Sequence, residues 1–359
     1  RPGPRAAAAP SWSRRFVHLA GLSSRPRAPL GATPHDVMHR ERNLRLLRYR
    51  PRAAGLAFRT PVLLVPSLIN RHYVLDLMPG KSFAEFLVAQ GHDVWIVDWG
   101  RPGAEDRYLD LDELCVTLLG RIVRIVAAQG GLARDHAGRV HLLGYCMGGI
   151  FTAILAARDG AARRAQVASL CNLAAPVRFG GEGLLGAWTR SPGFDVDALV
   201  DAFGLVPWRL LQGAFLMLRP TLGLAKAVHL VDRAWNDRYL DGYLALETWA
   251  NDNVSLPGAF YRRYIRELYQ GDALWRGTLQ IGGVAVKLAD IRVPTLAIVF
   301  EDDAIAPWAA CAALCEAVTV DDRDVWKVAG SHVGGVTSRP AAKALWPQLS
   351  AWWASRDHS

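Results

Sequence analysis

A short glycine-rich segment in the middle of the chain constrains the fold more than any other feature. It reads Gly-Tyr-Cys-Met-Gly-Gly over residues 144–149 and directly follows the largely apolar run Arg-Val-His-Leu-Leu. Glycines on both sides of Cys146 allow a strand to turn sharply into a helix while the residue at the turn adopts a strained backbone conformation. The segment therefore predicts a nucleophile elbow with cysteine in the position of the nucleophile.

The predicted elbow exposes Cys146 at the carboxyl end of a strand and the amino end of a helix. The partial positive charge of a helix start and a neighbouring imidazole both favour the reactive thiolate form of a cysteine. The backbone N–H of Met147 would point at the oxygen of a bound acyl group and form half of an oxyanion hole. The alternative is that Cys146 is a buried small hydrophobic residue in an ordinary tight turn.

A nucleophile elbow predicts that an acid follows further along the chain. The apolar run 294–300 indicates a buried strand, and three acidic residues follow it before a helix that begins at Pro307. A carboxylate at a strand end can hold an imidazole in one tautomer and stabilise its protonated form. We predict this role for Asp303, with Asp302 as the alternative.

The general base is expected after the acid in the chain. A short strand predicted over 324–328 leads into the glycine-flanked segment Gly-Ser-His-Val-Gly-Gly, which contains His332. His141, in contrast, falls inside a predicted strand and is more typical of a core histidine. We therefore predict a catalytic triad of Cys146, His332 and Asp303.

Composition is typical of a single globular enzyme. With 359 residues, of which 51% are hydrophobic, the chain can bury a large core. It contains no run of 18 uncharged apolar residues, so a membrane-spanning helix is not expected. The five cysteines are scattered and have no zinc-finger spacing, so we expect no disulfide framework, no metal and no bound cofactor.

The positive charge is concentrated at the start of the chain. Residues 1–60 contain thirteen arginines and only two acids, so they carry +11, whereas the other 299 residues carry −2. The first thirty residues are rich in Arg, Ala, Pro and Ser and contain no acid, which predicts a disordered basic arm over 1–33. A plain solvated tail is the favoured interpretation, and a transit peptide or an arm that attracts anionic surfaces is the alternative.

Strand and helix patterns alternate along the rest of the chain and then stop. Alternation up to about residue 177 and again from 292 predicts an α/β fold with a mostly parallel sheet and helices on both faces. The intervening segment, 178–291, has apolar helical stretches and five tryptophans. We predict that residues 34–177 and 292–359 form the core and that 178–291 form an inserted, mainly helical cap.

Several motifs together resemble the polyhydroxyalkanoate (polyester) synthases. They are the segment 66–77 (PSLINRHYVLDL), the strand end 97–100 (VDWG), the elbow at Cys146, the segment 301–308 (EDDAIAPW) and 330–334 (GSHVG). The resemblance extends from about residue 34 to 355 and implies the α/β-hydrolase fold. The length is similar to that of the short-subunit synthases, classes III and IV, which work with a second subunit.

The resemblance implies a polymerising acyltransferase. Its substrate would be an (R)-3-hydroxyacyl-coenzyme A thioester, which Cys146 would convert into an enzyme-bound thioester with release of coenzyme A. The second oxyanion donor would be a backbone N–H in the loop 67–70, at Ile69. The implied partners are the growing polyester chain, a second synthase subunit and further copies of the chain, in the cytoplasm and on polyester granules, with no specific nucleic acid.

One departure from the family pattern leaves room for different functions. The family usually has histidine directly after the catalytic aspartate, and this chain has Ala304. A hydrolase with the same triad, either a thioesterase or a polyester depolymerase, would use water as the acceptor. A non-catalytic granule or scaffold protein and a small-lactone esterase would also be compatible with this fold.

Overall fold

A central eight-stranded sheet organises the molecule. The computed structural model describes residues 12–131, 138–160, 162, 165–181, 183–218, 220 and 222–357. The order of the strands across the sheet is β1-β2-β4-β3-β5-β6-β11-β12. These strands are β1 (His35–Glu41), β2 (Leu44–Tyr49), β3 (Val62–Val65), β4 (Val94–Asp98), β5 (Val140–Tyr145), β6 (Val167–Leu173), β11 (Thr295–Phe300) and β12 (Arg323–Val328).

Six of these strands run parallel, which confirms the predicted fold class. The antiparallel pair β1 and β2 forms one edge, with β2 paired antiparallel to β4. The predicted alternation of strands and helices did not include this pair. Strand β1 reads His-Asp-Val-Met-His-Arg-Glu and is half exposed, so it lacks the apolar run that marks a buried strand.

Helices cover both faces of the sheet. On β3, Leu63 and Val65 belong to one apolar cluster, while Val62 and Leu64 belong to a second cluster on the opposite face, as strand alternation requires. The helices around this sheet are α2 (Phe83–Ala89), α3 (Leu119–Gln129), α4 (Met147–Arg158), α12 (Trp308–Ala317), α13 (Gly334–Thr337) and α14 (Trp346–Ala354). Short 3-10 turns lie at His72–Leu75, Ala104–Tyr108 and Leu288–Asp290, and wider π-type turns at Glu113–Leu118, Tyr264–Gln270 and Ala341–Leu345.

The chain between β6 and β11 lies outside the eight-stranded sheet. It contains the helices α5 (Leu184–Thr189), α6 (Val196–Phe203), α7 (Trp208–Leu218), α8 (Leu222–Arg233), α9 (Asp237–Ala250), α10 (Gly258–Arg263) and α11 (Ala273–Arg276). Two small ribbons pair β7 (Leu205–Val206) with β8 (Leu256–Pro257), and β9 (Gln280–Ile281) with β10 (Val284–Ala285). We call this segment the cap.

Within the described part of the chain, no single helix has both the length and the apolar composition needed to cross a membrane. Helices α7 and α8 meet that test only when taken together, and the break between them bends the pair by 79°.

The amino-terminal region differs from the predicted disordered arm over residues 12–33; residues 1–11 lie outside the described part. Helix α1 (Trp12–Ala20) packs against α8 of the cap. Arg25 then pairs with Asp241 at 2.7 Å and Asp237 at 2.8 Å. These acidic partners lie more than 200 residues later in the chain, so the composition of the arm alone did not reveal them.

Candidate active site

Cys146 occupies a strained backbone position between β5 and α4. Its φ of 54° and ψ of −124° lie in a region that residues other than glycine rarely adopt. The backbone is held there because the Cys146 N–H donates to the Leu173 carbonyl at 2.9 Å and its own carbonyl accepts from Gly149 at 2.9 Å. The side chain is half buried and faces the cap.

Glycine is required at positions 144 and 148 because backbone atoms of neighbouring elements lie very close to their Cα atoms. A Cβ atom added at Gly148 would lie 2.0 Å from the Val65 carbonyl oxygen, and one at Gly144 would lie 2.3 Å from the Gly149 Cα atom. Neither position has room for a side chain. The sequence pattern around the elbow therefore reflects the packing of α4 against β3 and β5.

His332 and Asp303 meet at the same carboxyl edge of the sheet. The His332 Nδ1 and an Asp303 carboxylate oxygen are 2.6 Å apart, and both side chains are buried. The imidazole also lies within the electrostatic influence of Cys146, which raises the pKa of His332. Tyr145 supports the ring, since its hydroxyl donates to the His332 carbonyl at 3.0 Å and its own ring stacks at a centroid distance of 5.4 Å.

Asp303 is fixed by the turn that follows β11. Its second carboxylate oxygen accepts hydrogen bonds from the backbone N–H groups of Ile305 and Ala306, each at 2.9 Å. Asp302 is exposed, and its backbone N–H donates to the Gly330 carbonyl at 3.0 Å. Of the two acids considered for the triad, the structure places Asp303 against the imidazole.

The surroundings of His332 favour its protonated form. Burial alone would lower the pKa of His332, but Cys146 and the Asp303 carboxylate outweigh burial and raise the pKa to about 10. The imidazole therefore carries both protons at neutral pH.

The two expected oxyanion donors lie on the wall of one cavity with Cys146. Met147 is the first residue of α4, where backbone N–H groups have no partner within the helix. The Ile69 N–H lies 3.4 Å from the Ser67 Oγ, a long hydrogen bond, and the Ile69 carbonyl accepts from Val254 at 2.8 Å. Both residues line the cavity that Cys146 faces.

This cavity is large and apolar. Its empty volume is about 820 Å³, and it lies between the carboxyl edge of the sheet and the cap. Aliphatic and aromatic side chains form most of its wall. The cap residues around it include Leu185, Trp188, Phe194, Leu211, Ala214, Phe215, Leu256, Tyr261, Tyr264, Ile265 and Tyr269.

Three tyrosines of the cavity wall were not identified from the sequence. Tyr261, Tyr264 and Tyr269 lie in and before the π-type turn, and burial raises the pKa of all three phenols. For Tyr264 and Tyr269, the charge of Cys146 adds to this effect, and both residues line the cavity that Cys146 faces. The spacing of these tyrosines in the sequence is compatible with one face of a helix. Only the fold shows that this face lies over the elbow.

The cap tryptophans have different surroundings. Of the five, Trp188 lines the cavity, whereas Trp249 is buried and donates from its indole to the Arg71 carbonyl at 2.9 Å. Trp275 packs beneath the Arg178 guanidinium, 5.0 Å from the ring centroid. Trp249 therefore connects the cap through a hydrogen bond to Arg71, two residues after Ile69.

Ala304 lines a second cavity beside the first. The second cavity has an empty volume of about 1030 Å³ and shares Pro176, Leu185, Tyr269 and Ile305 with the first. The position where the family usually has histidine is thus next to the predicted site but outside the cavity of Cys146. Among the residues that the structure describes, no group of three or more His, Cys, Asp or Glu is placed to hold a metal ion.

Two protein families match the chain. The family described as "Poly-beta-hydroxybutyrate polymerase (PhaC) N-terminus" matches residues 28–87, and the family described as "alpha/beta hydrolase fold" matches residues 60–332. The second match covers most of the chain. It agrees with the parallel sheet and the elbow.

Proteins named poly(3-hydroxyalkanoate) polymerase subunit PhaC are similar to nearly the whole chain. The one from Allochromatium vinosum is 32% identical over 329 residues, which cover 91% of this chain and 90% of that protein. The one from Synechocystis is 30% identical and is covered over 86% of its length. The one from Haloferax mediterranei is 32% identical over 92% of this chain, but this chain spans only 65% of that longer protein.

Solved structures support the fold alone. A non-heme bromoperoxidase from Mycobacterium tuberculosis superposes with a TM-score of 0.54 at 15% identity, covering 90% of this chain and 99% of that one. A thermophilic esterase from Thermogutta terrifontis superposes with a TM-score of 0.52 at 14% identity, covering 93% and 100%. The predicted α/β-hydrolase fold is therefore confirmed.

Proposed function

This chain belongs to the poly(3-hydroxyalkanoate) polymerase family, and from that premise we propose that it polymerises (R)-3-hydroxyacyl-coenzyme A into polyester through Cys146, His332 and Asp303. The proposal is supported by the strained position of Cys146 in front of a buried His332–Asp303 pair, beneath an apolar cavity. That arrangement is the one observation on which the proposal most depends. No bound cofactor is needed, because coenzyme A enters as part of the substrate.

The first step is acyl transfer to the enzyme. The sulfur of Cys146 attacks the thioester carbonyl, and the carbonyl oxygen takes up negative charge near the backbone N–H groups of Met147 and Ile69. The carbon–sulfur bond to coenzyme A then breaks. His332 holds a proton at neutral pH and gives it to the leaving thiolate. The acyl group remains activated, since one thioester replaces another.

The second step extends the polymer. His332, now neutral, accepts the proton from the hydroxyl group of a hydroxyacyl unit as that oxygen attacks the acyl group on Cys146. A carbon–oxygen ester bond forms, the carbon–sulfur bond breaks, and the sulfur of Cys146 is regenerated. Asp303 keeps the imidazole in the required orientation through both steps.

Exclusion of water decides between polymerisation and hydrolysis. Water that reached the acyl-enzyme would release free hydroxy acid instead of extending the chain. The cavity wall consists mainly of apolar side chains, including Trp188 and Phe215 of the cap. This composition favours a hydroxyacyl acceptor over bulk water.

Incubation of the purified protein with 3-hydroxybutyryl-coenzyme A tests the proposal. We expect coenzyme A release to be matched by insoluble polyester, and a covalent acyl group on Cys146 to be visible by mass spectrometry of the stopped reaction. Release matched only by free 3-hydroxybutyrate would assign the chain to the hydrolases. No release together with no labelling of Cys146 would favour a non-catalytic scaffold protein.

The family also suggests a location in the cell and binding partners for this chain. Association with polyester granules in the cytoplasm, a second synthase subunit and a homo-oligomeric state all belong to this proposal. The assay is therefore run with and without a candidate second subunit, because a partner that completes the enzyme would raise the rate of polymer formation.

A further inference from the structure

The cap holds the loop that contains Ile69 through a short stretch of backbone pairing. The Val254 N–H donates to the Ile69 carbonyl at 2.8 Å, and Asn70 and Asn253 form an isolated antiparallel bridge. The contact of the Ile69 N–H with Ser67, in its own loop, is long at 3.4 Å. The cap therefore restrains the backbone around Ile69 more strongly than Ser67 does.

The side chains of the two bridged residues extend this contact. The Asn70 amide NH2 donates to the Asn253 side-chain oxygen, and the Asn253 amide NH2 donates to the Ala250 carbonyl at 2.8 Å. A backbone carbonyl can only accept, so Ala250 fixes which end of the Asn253 amide faces Asn70. Asn253 is 7% exposed, and Ala250 is the last residue of α9. The end of α9 therefore orients the amide that holds Asn70.

Further contacts join the same parts of the cap and the loop. The Trp249 indole donates to the Arg71 carbonyl at 2.9 Å, and the Tyr73 hydroxyl donates to the Asp252 carboxylate at 2.5 Å. Asp252 also pairs with Arg101, in the segment after β4. The cap and the loop are thus joined at several points. The asparagine pair is the one directly beside the proposed oxyanion donor.

We propose that Asn253 is a positioning residue, which acts through Asn70 to hold the Ile69 N–H in place as an oxyanion donor. The inference rests on the proposed function, because the oxyanion is the acyl oxygen that becomes charged during transfer to and from Cys146. An oxyanion hole is effective when its donors are fixed before the charge forms. Since Asn253 belongs to the cap, the oxyanion hole is complete only while this part of the cap lies on the loop.

Steady-state kinetics of coenzyme A release from 3-hydroxybutyryl-coenzyme A test the positioning role. In Asn253→Ala, we expect kcat to fall by about tenfold to a hundredfold while KM changes by less than about twofold, because the oxyanion contact forms in the transition state. Asn70 is only half buried, so Asn70→Ala tests the same pair with a smaller effect on folding, and it should lose as much activity. The double variant should lose no more than either single variant, since the two side chains act as one pair.

A trifluoromethyl ketone analogue of the substrate distinguishes positioning from a general loosening of the cap. The sulfur of Cys146 forms a bond to the ketone carbon, and the carbonyl π electrons move to the oxygen, with the thiol proton held by His332. The charged oxygen of this adduct resembles that of the transition state. We expect Asn253→Ala to weaken binding of the ketone by about the factor lost in kcat/KM. Binding of the matching thioether, which has no carbonyl oxygen, should change by less than about twofold.

Asp112→Ala is the matched control for a lost contact between the cap and the core. The Asp112 carboxylate accepts from the cap residues Arg263 at 2.6 Å and Gly282 at 2.9 Å, but Asp112 lies outside the residues that line the cavity of Cys146. This variant should keep kcat and the affinity for the ketone within about threefold of the unaltered protein. The thermal midpoint of each variant shows how far it is destabilised, so that losses of activity are compared at similar stability.

Equal losses of activity in Asn253→Ala and Asp112→Ala would overturn the positioning role, as would equal losses of affinity for the ketone and the thioether. Additive losses in the double variant would show that Asn70 and Asn253 act separately, which also contradicts the proposal. An unaltered protein that forms the ketone adduct but releases no coenzyme A would contradict the proposed function alone, because the affinity for the ketone still measures positioning without turnover. Absence of any adduct would contradict both.

Discussion

Three buried histidines at the two ends of the sheet, His332, His92 and His141, have pKa shifts of opposite sign. At the carboxyl end, Cys146 and Asp303 raise the pKa of His332 to about 10 against the effect of burial. At the amino end, burial lowers the pKa of His92 to about 4 and that of His141 to about 3. Burial is therefore common to both ends, and the charge of the neighbours decides the outcome.

The hydrogen-bond partners at the amino end are neutral, and the charge of Asp357 offsets only part of the effect of burial on the pKa of His92 and His141. His92 is 2.8 Å from the Ser350 hydroxyl and His141 is 2.8 Å from the Ser169 hydroxyl. Both rings also lie against Trp353, with centroids 5.9 and 6.3 Å away. A hydroxyl can bond to a neutral imidazole without stabilising a positive charge. Histidine at the amino end thus serves in packing, whereas we propose that His332 at the carboxyl end carries protons.

Of the substitutions at the carboxyl end of the sheet, the replacement of Cys146 should reduce turnover most. In Cys146→Ala, we expect turnover of 3-hydroxybutyryl-coenzyme A to fall by at least about a thousandfold because the nucleophile is lost. The pKa of His332, followed by NMR, should fall as well, since a charged neighbour disappears. The circular dichroism spectrum should match that of the unaltered protein.

Cys146→Ser is the companion variant. A serine ester would not keep the acyl group as activated as a thioester does, so polymer yield should stay close to that of Cys146→Ala. A near-normal yield from the serine variant would contradict the proposed thioester intermediate.

Replacing Asp303 should have the next largest effect. Asp303→Asn removes the carboxylate that orients His332, and we expect turnover to fall by about a thousandfold to ten-thousandfold. Asp302→Asn is the matched control and should change turnover by no more than about threefold, because Asp302 is exposed. If the two variants lost equal activity, the assignment of the acid would be wrong.

The buried His92 at the amino end of the sheet should lower the stability of the folded protein at acid pH. His92 has an ordinary pKa of 6.5 when unfolded and about 4 when folded, so the unfolded chain takes up a proton first as the pH falls. Neutral His92 therefore makes its full contribution to the free energy of unfolding above pH 6.5. This contribution decreases by on the order of 3 kcal/mol as the pH falls to 4. Urea unfolding at a series of pH values measures this loss.

His92→Gln is the variant that isolates this contribution. It should reduce the slope of the free energy of unfolding between pH 6.5 and 4, and the slope that remains should come from His141, whose pKa is lowered to about 3. An unchanged slope would show that His92 is not neutral in the folded protein. His332 acts in the opposite direction, because its raised pKa contributes stability below pH 6.5 that is lost as the pH rises toward 10.

The smallest expected effect concerns the ring that supports His332. Tyr145→Phe keeps the stacked ring but removes the hydroxyl that donates to the His332 carbonyl. We expect the free energy of unfolding to fall by about 1 kcal/mol and turnover to fall only a few-fold. A loss as large as that of Asp303→Asn would indicate that Tyr145 takes part in proton transfer.

Local patterns were sufficient to predict most of the fold and the identity of the proposed triad. Cys146 directly follows β5, Asp303 lies three residues after the end of β11, and His332 lies in the glycine-flanked loop after β12. Parallel strands bring these ends to one edge of the sheet. The antiparallel strands β1 and β2 were not predicted, because neither contains the continuous apolar run that indicates a buried strand. They are held in the sheet by pairing with each other and with β4. The tyrosines over Cys146 were also missed, since helical spacing does not show which helix covers the site.

The sequence by itself determined the elbow and the alternation that requires a parallel sheet, because these depend on neighbours close along the chain. It also supplied the order of the proposed nucleophile, acid and base. Only the tertiary structure decided the surroundings of the buried histidines, the pairing of His332 with Asp303 rather than Asp302, and the packing of α1 against the cap. Each of these depends on charges that the fold brings together from distant parts of the chain, such as Asp237 beside Arg25. Electrostatic energy depends on distance and burial, and a linear sequence contains neither.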